Sequence, residues 1–205
     1  MKFKFALSAG LVFIAGMGLA FAGNAVPAQP SQAAVQEDAK TKEFKDILVK
    51  LVRQDEYLDE AIEILDTASG RPSQEDLAAV GVSLKAIAKN LRHVSALNKA
   101  EFAAIQPGSD LSKYTNTILS YSRKVDRKSA QVGSLIAQLA AKNKKAAMRD
   151  AVSSRKGGKK ARGKKLTEVL AEQRAMDRLA ADARALRGAS RDLSATSKWL
   201  YIASK

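Results

Sequence analysis

Apolar residues recur with helical spacing in four long segments of this chain, and no segment alternates apolar and polar residues as a half-buried strand does. In the first segment, about 36–68, they form one stripe along a helix. The stripe consists of Phe44, Ile47, Leu48, Leu51, Leu58, Ile62 and Leu65. Gly70 and Pro72 follow where helices commonly end, so we expect the first helix to stop near residue 68.

The second and third segments carry the alternating steps of three and four residues that are typical of coiled-coil seams. Ser73 and Asp76 stand in capping-box positions and predict the start of the second helix. Residues 106–108 (Gln-Pro-Gly) predict a break after it, with Ser109 as the next N-cap. The seams are Leu77, Val80, Leu84, Ile87, Leu91 and Val94, then Leu111, Tyr114, Ile118, Tyr121, Val125, Lys128, Val132, Leu135 and Leu139. Lys128 is the position that does not suit a core.

The fourth segment, about 166–203, has leucines seven residues apart, at Leu179, Leu186, Leu193 and Leu200. The companion positions are mostly small, which lets a neighbouring helix approach closely; they are Met176, Ala183, Ser190 and Ser197. The four segments together predict an all-α protein. We expect a single domain over 36–205, an up-down-up-down four-helix bundle with coiled-coil-like seams and a long third connection.

The first 22 residues have the parts of a secretory signal peptide. Lys2 and Lys4 form a positive n-region, residues 5–21 are uncharged, and Ala20-Phe21-Ala22 supplies a small-x-small cleavage pattern. The alternative is a retained membrane anchor. That alternative is weaker, because the 17 uncharged residues are short for a span of roughly 20 and include three glycines.

We therefore expect residues 1–22 to be a signal peptide that is cleaved near Ala22–Gly23. Residues 23–35 are rich in Ala, Pro and Gln without a period, and predict a flexible leader. The expected location of the mature protein is periplasmic or secreted.

The positive charge of the chain is concentrated in one segment. The formal net charge is +14, and residues 142–165 hold eleven basic residues against one acidic residue, Asp150. Residues 23–141 hold 15 basic and 15 acidic residues, so most of the bundle is close to neutral. Such a distribution indicates the kind of partner and says nothing about topology.

The residue types needed for most catalytic and metal sites are scarce. The chain has no Cys, which excludes disulfides, thiolate zinc sites and iron–sulfur clusters. Its one histidine, His93, lies off the seam of the second helix and has no H-x-x-x-H or E-x-x-H partner, so we expect it at the surface. We therefore expect a non-enzymatic protein without catalytic, cofactor-binding or metal-binding residues.

The basic segment is the strongest functional candidate. We expect a mobile loop over 142–165, helical at most to Val152, because Gly157, Gly158 and Gly163 interrupt it and large apolar residues are few. The candidate anion-binding residues are Arg155, Lys156, Lys159, Lys160, Arg162, Lys164 and Lys165.

The chemistry of this segment favours an anionic envelope polymer or a membrane surface as partner, bound through release of counterions. Specific nucleic-acid recognition is not expected, because the segment has no aromatic residue that could stack on bases. Two alternatives are a solubilising linker and an intramolecular clamp on the acidic first helix.

Three further features each have more than one interpretation. Glu56, Asp59, Glu60 and Glu63 share one face of the first helix, as a solvated surface, as a dock for the basic segment or as a loose site for a divalent cation. Asp55 and Lys128 interrupt apolar stripes, either as residues at the edge of the core or as a buried pair between parallel first and third helices. Trp199 either packs across one end of the bundle or anchors at a membrane interface.

These observations predict an exported, non-enzymatic helical bundle that binds or scaffolds envelope components, with residues 142–165 contacting anionic polymer or lipid head groups. The alternative is a self-assembling structural coiled-coil protein of the envelope or cell surface, a homo-oligomer whose seams extend across subunits.

Overall fold

The computed structural model describes residues 32–67, 73–103, 105, 107–108, 111–153 and 159–205, with side chains from residue 39 onward except at 147 and 150–168. In this part the chain forms four α-helices and no strand: α1 (Gln32–Thr67), α2 (Gln74–Phe102), α3 (Ser112–Ser153) and α4 (Lys159–Ala203). The prediction of an all-α four-helix bundle is confirmed. The predicted signal peptide lies outside the described residues, and α1 already begins within the predicted leader.

The start of α2 follows from a capping box, as its sequence predicts. The Ser73 hydroxyl accepts a bond from the Asp76 amide at 3.1 Å, and the Asp76 carboxylate accepts one from the Ser73 amide at 3.3 Å. After α2, Gly108 has φ +77°, a conformation that favours glycine, and its amide donates to the Ser204 carbonyl at 3.3 Å. The other predicted helix signals, at Gly70, Pro72 and Ser109, lie outside the described residues.

Contacts between the helices fix their directions. Thr115 bonds to Ser204 and Ser122 to Ser197, so α3 and α4 are antiparallel. α2 packs on α1 and α4, and α3 packs on α1 and α4. The consecutive helices α2 and α3 therefore lie diagonally across the bundle, and the parallel helices α1 and α3 are neighbours. The chain alternates direction, with a connection between α2 and α3 that crosses from one corner to the opposite one.

The core contains the predicted seam of α2 and the four leucines of α4, all at most 5 % exposed. The seam of α3 is different from the prediction. Tyr114, Tyr121 and Leu135 are half-buried, while Leu119 and Ile136 are buried. The buried surface of α3 also includes Thr115 and Ser122, which bond to α4, so it is wider than the predicted apolar stripe and shifted from it.

The predicted loop over 142–165 is wrong in its second part. α3 continues to Ser153, which agrees with the expectation of helix up to Val152, but α4 begins at Lys159 instead of near residue 166, so 159–165 are helical. Lysine, arginine and alanine are good helix formers, and the segment consists largely of these residues, so local preference favours helix despite the sparse apolar residues. Only 154–158, which the structure does not describe, separate the two helices.

The pairing of helices places the ends of α3 and α4 beyond the other two helices. Asp55 and Asp59 face Lys124 and Lys128, so the end of α1 lies level with about residue 138 of α3. Asp182 lies beside Gly81, so the start of α2 lies level with about residue 175 of α4. We call residues 139–153 and 159–174 the hairpin end; it projects roughly 20 Å past the four-helix part. Among the described helices, none is both long enough and apolar enough to span a membrane.

Candidate functional site

The hairpin end carries exposed cations on the part of α3 whose side chains are described. Lys142, Lys144, Lys145 and Arg149 are all exposed. They occupy the last turns of α3, where Asp150 is the first acidic residue in the sequence after Asp126. The described portion of the hairpin end is therefore a strongly cationic surface.

The predicted anion-binding residues divide between the two sides of the connection. Arg155 and Lys156 lie outside the described residues. The other five lie in the first two turns of α4, where the backbone is described and the side chains are not: Lys159, Lys160, Arg162, Lys164 and Lys165. The fold thus brings these five residues and the exposed lysines of α3 to the same end of the molecule.

An open groove of about 480 Å³ separates α3 from α4 at the hairpin end. It is lined by apolar and polar side chains, among them Met148, Val169, Glu172 and Met176. Met148 is 58 % exposed, and none of the other described helices covers the pair at this level. The described side chains of the hairpin end are therefore largely accessible.

A charged cluster joins α1 to α3 inside the bundle. The Lys128 ammonium lies 2.6 Å from a carboxylate oxygen of Asp55 and 2.6 Å from one of Asp59. The Lys124 ammonium lies 2.5 Å from the other Asp55 oxygen. The Asp55 side chain is 7 % exposed and that of Asp59 62 %. The hypothesis of a buried Asp55–Lys128 pair between parallel helices is confirmed.

Burial and the two lysines have opposite effects on Asp55. Burial raises the pKa of this carboxyl, but hydrogen bonds and charges from Lys124 and Lys128 outweigh that effect and hold the pKa below its ordinary value. The pKa of Lys124 is raised in turn, chiefly by its hydrogen bond to Asp55. Both shifts favour the ionised forms of Asp55 and Lys124 at neutral pH.

The acidic face of α1 is solvated. Glu56, Asp59, Glu60 and Glu63 are exposed, and Asp59 pairs with Lys128 of the core cluster. Within the described residues no group of three or more His, Asp or Glu side chains could hold a metal ion. Because α3 carries the basic segment past the end of α1, the acidic face and the hairpin end lie at different levels. This separation gives no support to an intramolecular clamp.

A buried polar network links α2, α3 and α4, and sequence patterning missed it. Asn98 is fully buried and donates to the Ser197 hydroxyl at 2.9 Å, which lies 2.6 Å from that of Ser122. The side-chain carbonyl oxygen of Asn98 is buried and has no hydrogen-bond partner. The available signal was a second heptad stripe of small polar residues: Thr115, Ser122 and Ser129 in α3, with Ser190, Ser197 and Ser204 in α4. The close approach of α3 and α4 confirms the prediction from small residues in α4.

A second ionic contact, anchored by Asp126, joins α3 to α4. The Arg187 guanidinium donates to the backbone carbonyl and to the carboxylate of Asp126, both at 2.5 Å. The Ser190 hydroxyl donates to the same Asp126 carboxylate at 2.9 Å. The Arg187 side chain is 29 % exposed and that of Asp126 25 %, so this contact lies at the boundary of the α3/α4 interface.

A carboxyl pair lies between the start of α1 and the end of α2. Burial raises the pKa of Glu101, and the neighbouring Glu43 raises it further, whereas Lys40 acts in the opposite direction. One carboxylate oxygen of Glu101 is buried without a hydrogen-bond partner. This arrangement makes Glu101 a group whose ionisation opposes folding.

The two isolated aromatic candidates have different outcomes. His93 is exposed on α2, as its position off the seam predicts. The prediction that Trp199 packs across one end of the bundle is wrong, because its side chain is 60 % exposed. Leu200 fills the adjacent buried position and turns Trp199 outward, since neighbouring residues are about 100° apart around a helix.

No protein-family model, curated protein or solved structure matches the chain. The interpretation of its sites therefore depends on the side chains and their arrangement in the bundle.

Proposed function

We propose that this protein is an exported, non-enzymatic helical bundle that binds or scaffolds anionic components of the envelope, and that the hairpin end is its contact surface. The observation that carries the proposal is the projection of α3 and α4. Of the four described helices, only α3 and α4 extend beyond the four-helix part, and they carry residues 142–153 and 159–165 of the basic segment.

Physical chemistry supports an anionic partner for such a surface. Cations held on two neighbouring helices displace the condensed counterions of a polyanion, and this release drives binding without sequence recognition. The exposed lysines Lys142, Lys144 and Lys145 provide charge on one helix. Lys159, Lys160 and Lys164 belong to the other. An anionic polymer or a surface of anionic lipid head groups satisfies these requirements equally, so the probes must separate the two.

Export is proposed from residues 1–22, whose n-region, uncharged run and Ala20-Phe21-Ala22 pattern match a cleaved signal peptide. N-terminal sequencing of the protein from its native host is expected to begin at or near Gly23. An intact Met1 in a cytoplasmic fraction would overturn the envelope location.

The binding proposal is tested by neutralising the start of α4. The variant replaces Lys159, Lys160, Arg162, Lys164 and Lys165 with Gln, which preserves helix preference. A matched control removes the same number and types of charge from exposed positions of α1 and α2, namely Lys45, Lys50, Lys89, Arg92 and Lys99. The probes are inorganic polyphosphate and vesicles containing phosphatidylglycerol, each titrated at several salt concentrations.

The hairpin variant is expected to bind polyphosphate or vesicles at least about tenfold more weakly than wild type at low salt, with a shallower salt dependence. The control variant is expected to stay within about threefold of wild type. Equal losses in both variants would mean that total charge, and not the hairpin end, governs binding. No binding by the wild-type protein at low salt would overturn the proposal.

The second candidate is a self-assembling coiled-coil protein, and the open groove of the hairpin end favours it. Met148 and Leu170 are 58 % and 43 % exposed there, and a second hairpin could cover them. The high positive charge of this end opposes such pairing. Light scattering across a range of protein and salt concentrations distinguishes the two candidates, because assembly requires a mass that is a multiple of the monomer.

A further inference from the structure

The fold collects a second set of cations that lies outside segment 142–165. Arg123 and Arg127 of α3 and Arg191, Lys198 and Lys205 of α4 are all exposed. We call these five residues the basic face. The sequence places them in two separate regions, one of which is close to neutral overall, so the cluster exists only in the folded bundle.

The positions of the basic face follow from the packing of α3 and α4. Leu193, Leu200 and Thr196 form the buried side of α4, with Thr196 bonded to Ser95 of α2. Arg191 and Lys198 are seven residues apart and therefore lie on one side of α4. The surface of α4 that contacts α3 separates these two cations from Leu193, Thr196 and Leu200. The basic face is therefore the surface of the α3/α4 pair that points away from α1 and α2.

Two adjoining surface grooves run along this face. The first is lined by six residues of α3: Asn116, Leu119, Ser120, Arg123, Asp126 and Arg127. The second includes Lys113, Asn116, Tyr201 and Lys205, so that Asn116 belongs to both grooves. The Lys205 ammonium lies 4.8 Å from the centre of the Tyr201 ring, which holds this cation beside the groove.

Within the part of the chain that the structure describes, carboxylates do not neutralise the basic face. Asp126 lines the first groove, but its carboxylate is already paired with Arg187. Asp182 turns towards α2, where it lies 3.6 Å from Lys85. Asp192 follows Arg191 and points about 100° further round α4, away from the α3/α4 groove.

On these grounds we propose that the basic face binds a linear polyanion carrying phosphate or carboxylate groups, and that it extends the contact of the hairpin end along the bundle. This inference rests on the proposed function of the hairpin end. Arginine presents a planar donor pair that matches both kinds of anionic group. From Arg127 to Lys145 the sequence of α3 contains no acidic residue, so nothing of opposite charge on that helix separates the two surfaces.

A linear polymer fits the face better than a bilayer does. Membrane-binding surfaces combine cations with large apolar side chains that enter the lipid. Among the described residues, the large apolar side chains strongly exposed near this face are Trp199 and Ile202, at its end between Lys198 and Lys205; none is strongly exposed between 112 and 147 of α3 or between 171 and 198 of α4, so the part of the face around Arg123, Arg127 and Arg191 has cations without apolar neighbours. Arg123 and Arg127 line the first groove along α3, and Lys205 lines the second groove between α3 and α4, an arrangement that suits a chain lying along them.

The experiment compares two variants of the full chain. The face variant replaces Arg123, Arg127, Lys198 and Lys205 with Gln. Its control replaces the same types of residue on α1 and α2, namely Lys50, Arg53, Lys89 and Arg92, all exposed. The hairpin variant described above is measured beside them. The probes are long-chain polyphosphate, polygalacturonate and phosphatidylglycerol vesicles, and circular dichroism verifies that each variant is folded.

The face variant is expected to bind the polymer about tenfold or more weakly than its control. The slope of log K against log salt is expected to fall by about 0.7 for each anionic group of the polymer that the variant no longer neutralises. A preference for polyphosphate or for polygalacturonate identifies the anionic group. Polymer binding by the face variant equal to that of its control overturns the inference; if the hairpin variant then still loses binding, the proposed function stands alone.

Other outcomes separate the two proposals in the opposite direction. Loss in the face variant with full binding by the hairpin variant supports the basic face and refutes the contact role of the hairpin end. Vesicle binding that depends on the basic face, without polymer binding, refutes a linear partner. Absence of binding to every probe by wild type refutes both.

Discussion

The two carboxylates bound by Lys128 give an internally controlled prediction about buried charge. Asp55 and Asp59 each approach the same ammonium to 2.6 Å, but their side chains are 7 % and 62 % exposed. Distance and cation are therefore matched, and burial differs. Two double-mutant cycles isolate the pairs, with Lys128→Met combined with Asp55→Asn in one and with Asp59→Asn in the other.

The expected coupling energies follow from this difference. Breaking a fully buried pair costs about 3–5 kcal/mol, but Lys128 retains 14 % exposure and Asp55 keeps Lys124 when Lys128 is replaced. We therefore expect a coupling of about 1–3 kcal/mol for Asp55–Lys128. Solvent screens the exposed Asp59, so its coupling to Lys128 should be at most about 0.2–1 kcal/mol.

Urea denaturation monitored by circular dichroism measures each free energy of unfolding at pH 7. A coupling for Asp59 equal to or greater than that for Asp55 would refute the link between burial and strength. The pH dependence provides a second readout, because the folded-state pKa of Asp55 lies below its ordinary value near 3.8. The stabilisation is present above that value and is lost as the pH falls through the folded-state pKa, so the Asp55→Asn variant should lack this acid-induced loss.

Three other predictions concern packing, the polar network and a raised pKa. Leu84→Ala or Leu91→Ala should lower the free energy of unfolding by about 2–5 kcal/mol, because both side chains are fully buried, whereas the exposed His93→Ala should lower it by less than about 0.5 kcal/mol. The reverse order in urea denaturation would mean that α2 presents another face to the core. Ser197→Ala should lower the free energy of unfolding by about 1–3 kcal/mol, because it removes the hydrogen-bond partner of the buried Asn98 side-chain amide. If this loss is as small as that of the exposed control Ser134→Ala, the polar network does not stabilise the fold. Glu101→Gln should be more stable than wild type at pH 7, because the raised folded-state pKa of Glu101 means that its ionised form destabilises the fold, and the variant should lose this advantage below the ordinary glutamate pKa of 4.5. A stability difference between variant and wild type that does not change with pH would refute the raised pKa.

The fold class was predictable because apolar periodicity determines which faces of helices are buried. The apolar seam of α2 from Leu77 to Val94 was predictable, and all six positions are buried. The α3 seam was less predictable, because part of its buried surface is polar and bonds to α4. Its second stripe consists of Thr115, Ser122 and Ser129, and hydroxyl side chains do not register in an apolar pattern.

The composition of the candidate site was predictable from the sequence, and its conformation was predictable only in part. Net charge and low apolar content indicated a loop after about Val152, but helix preference and pairing with α3 start α4 already at Lys159. The basic face was not predictable, because Arg123 and Arg191 are distant in sequence and approach only through the antiparallel packing of their helices.

The polar contacts also explain at which residues of α3 and α4 the hairpin end begins. Heptad seams are tolerant of slippage by seven residues, about 10 Å, because one leucine replaces another. If α1 slipped by seven residues along α3, Asp55 would face Tyr121 or Leu135 instead of Lys128, and its buried charge would lose that partner. Each polar contact in this bundle joins a different set of helices: Asp55–Lys128 joins α1 to α3, and the Asn98 network joins α2 to α3 and α4. We therefore expect these contacts to select one register among several that the apolar seams allow. That register determines how far α3 and α4 project, and so how much of the basic segment is presented to a partner.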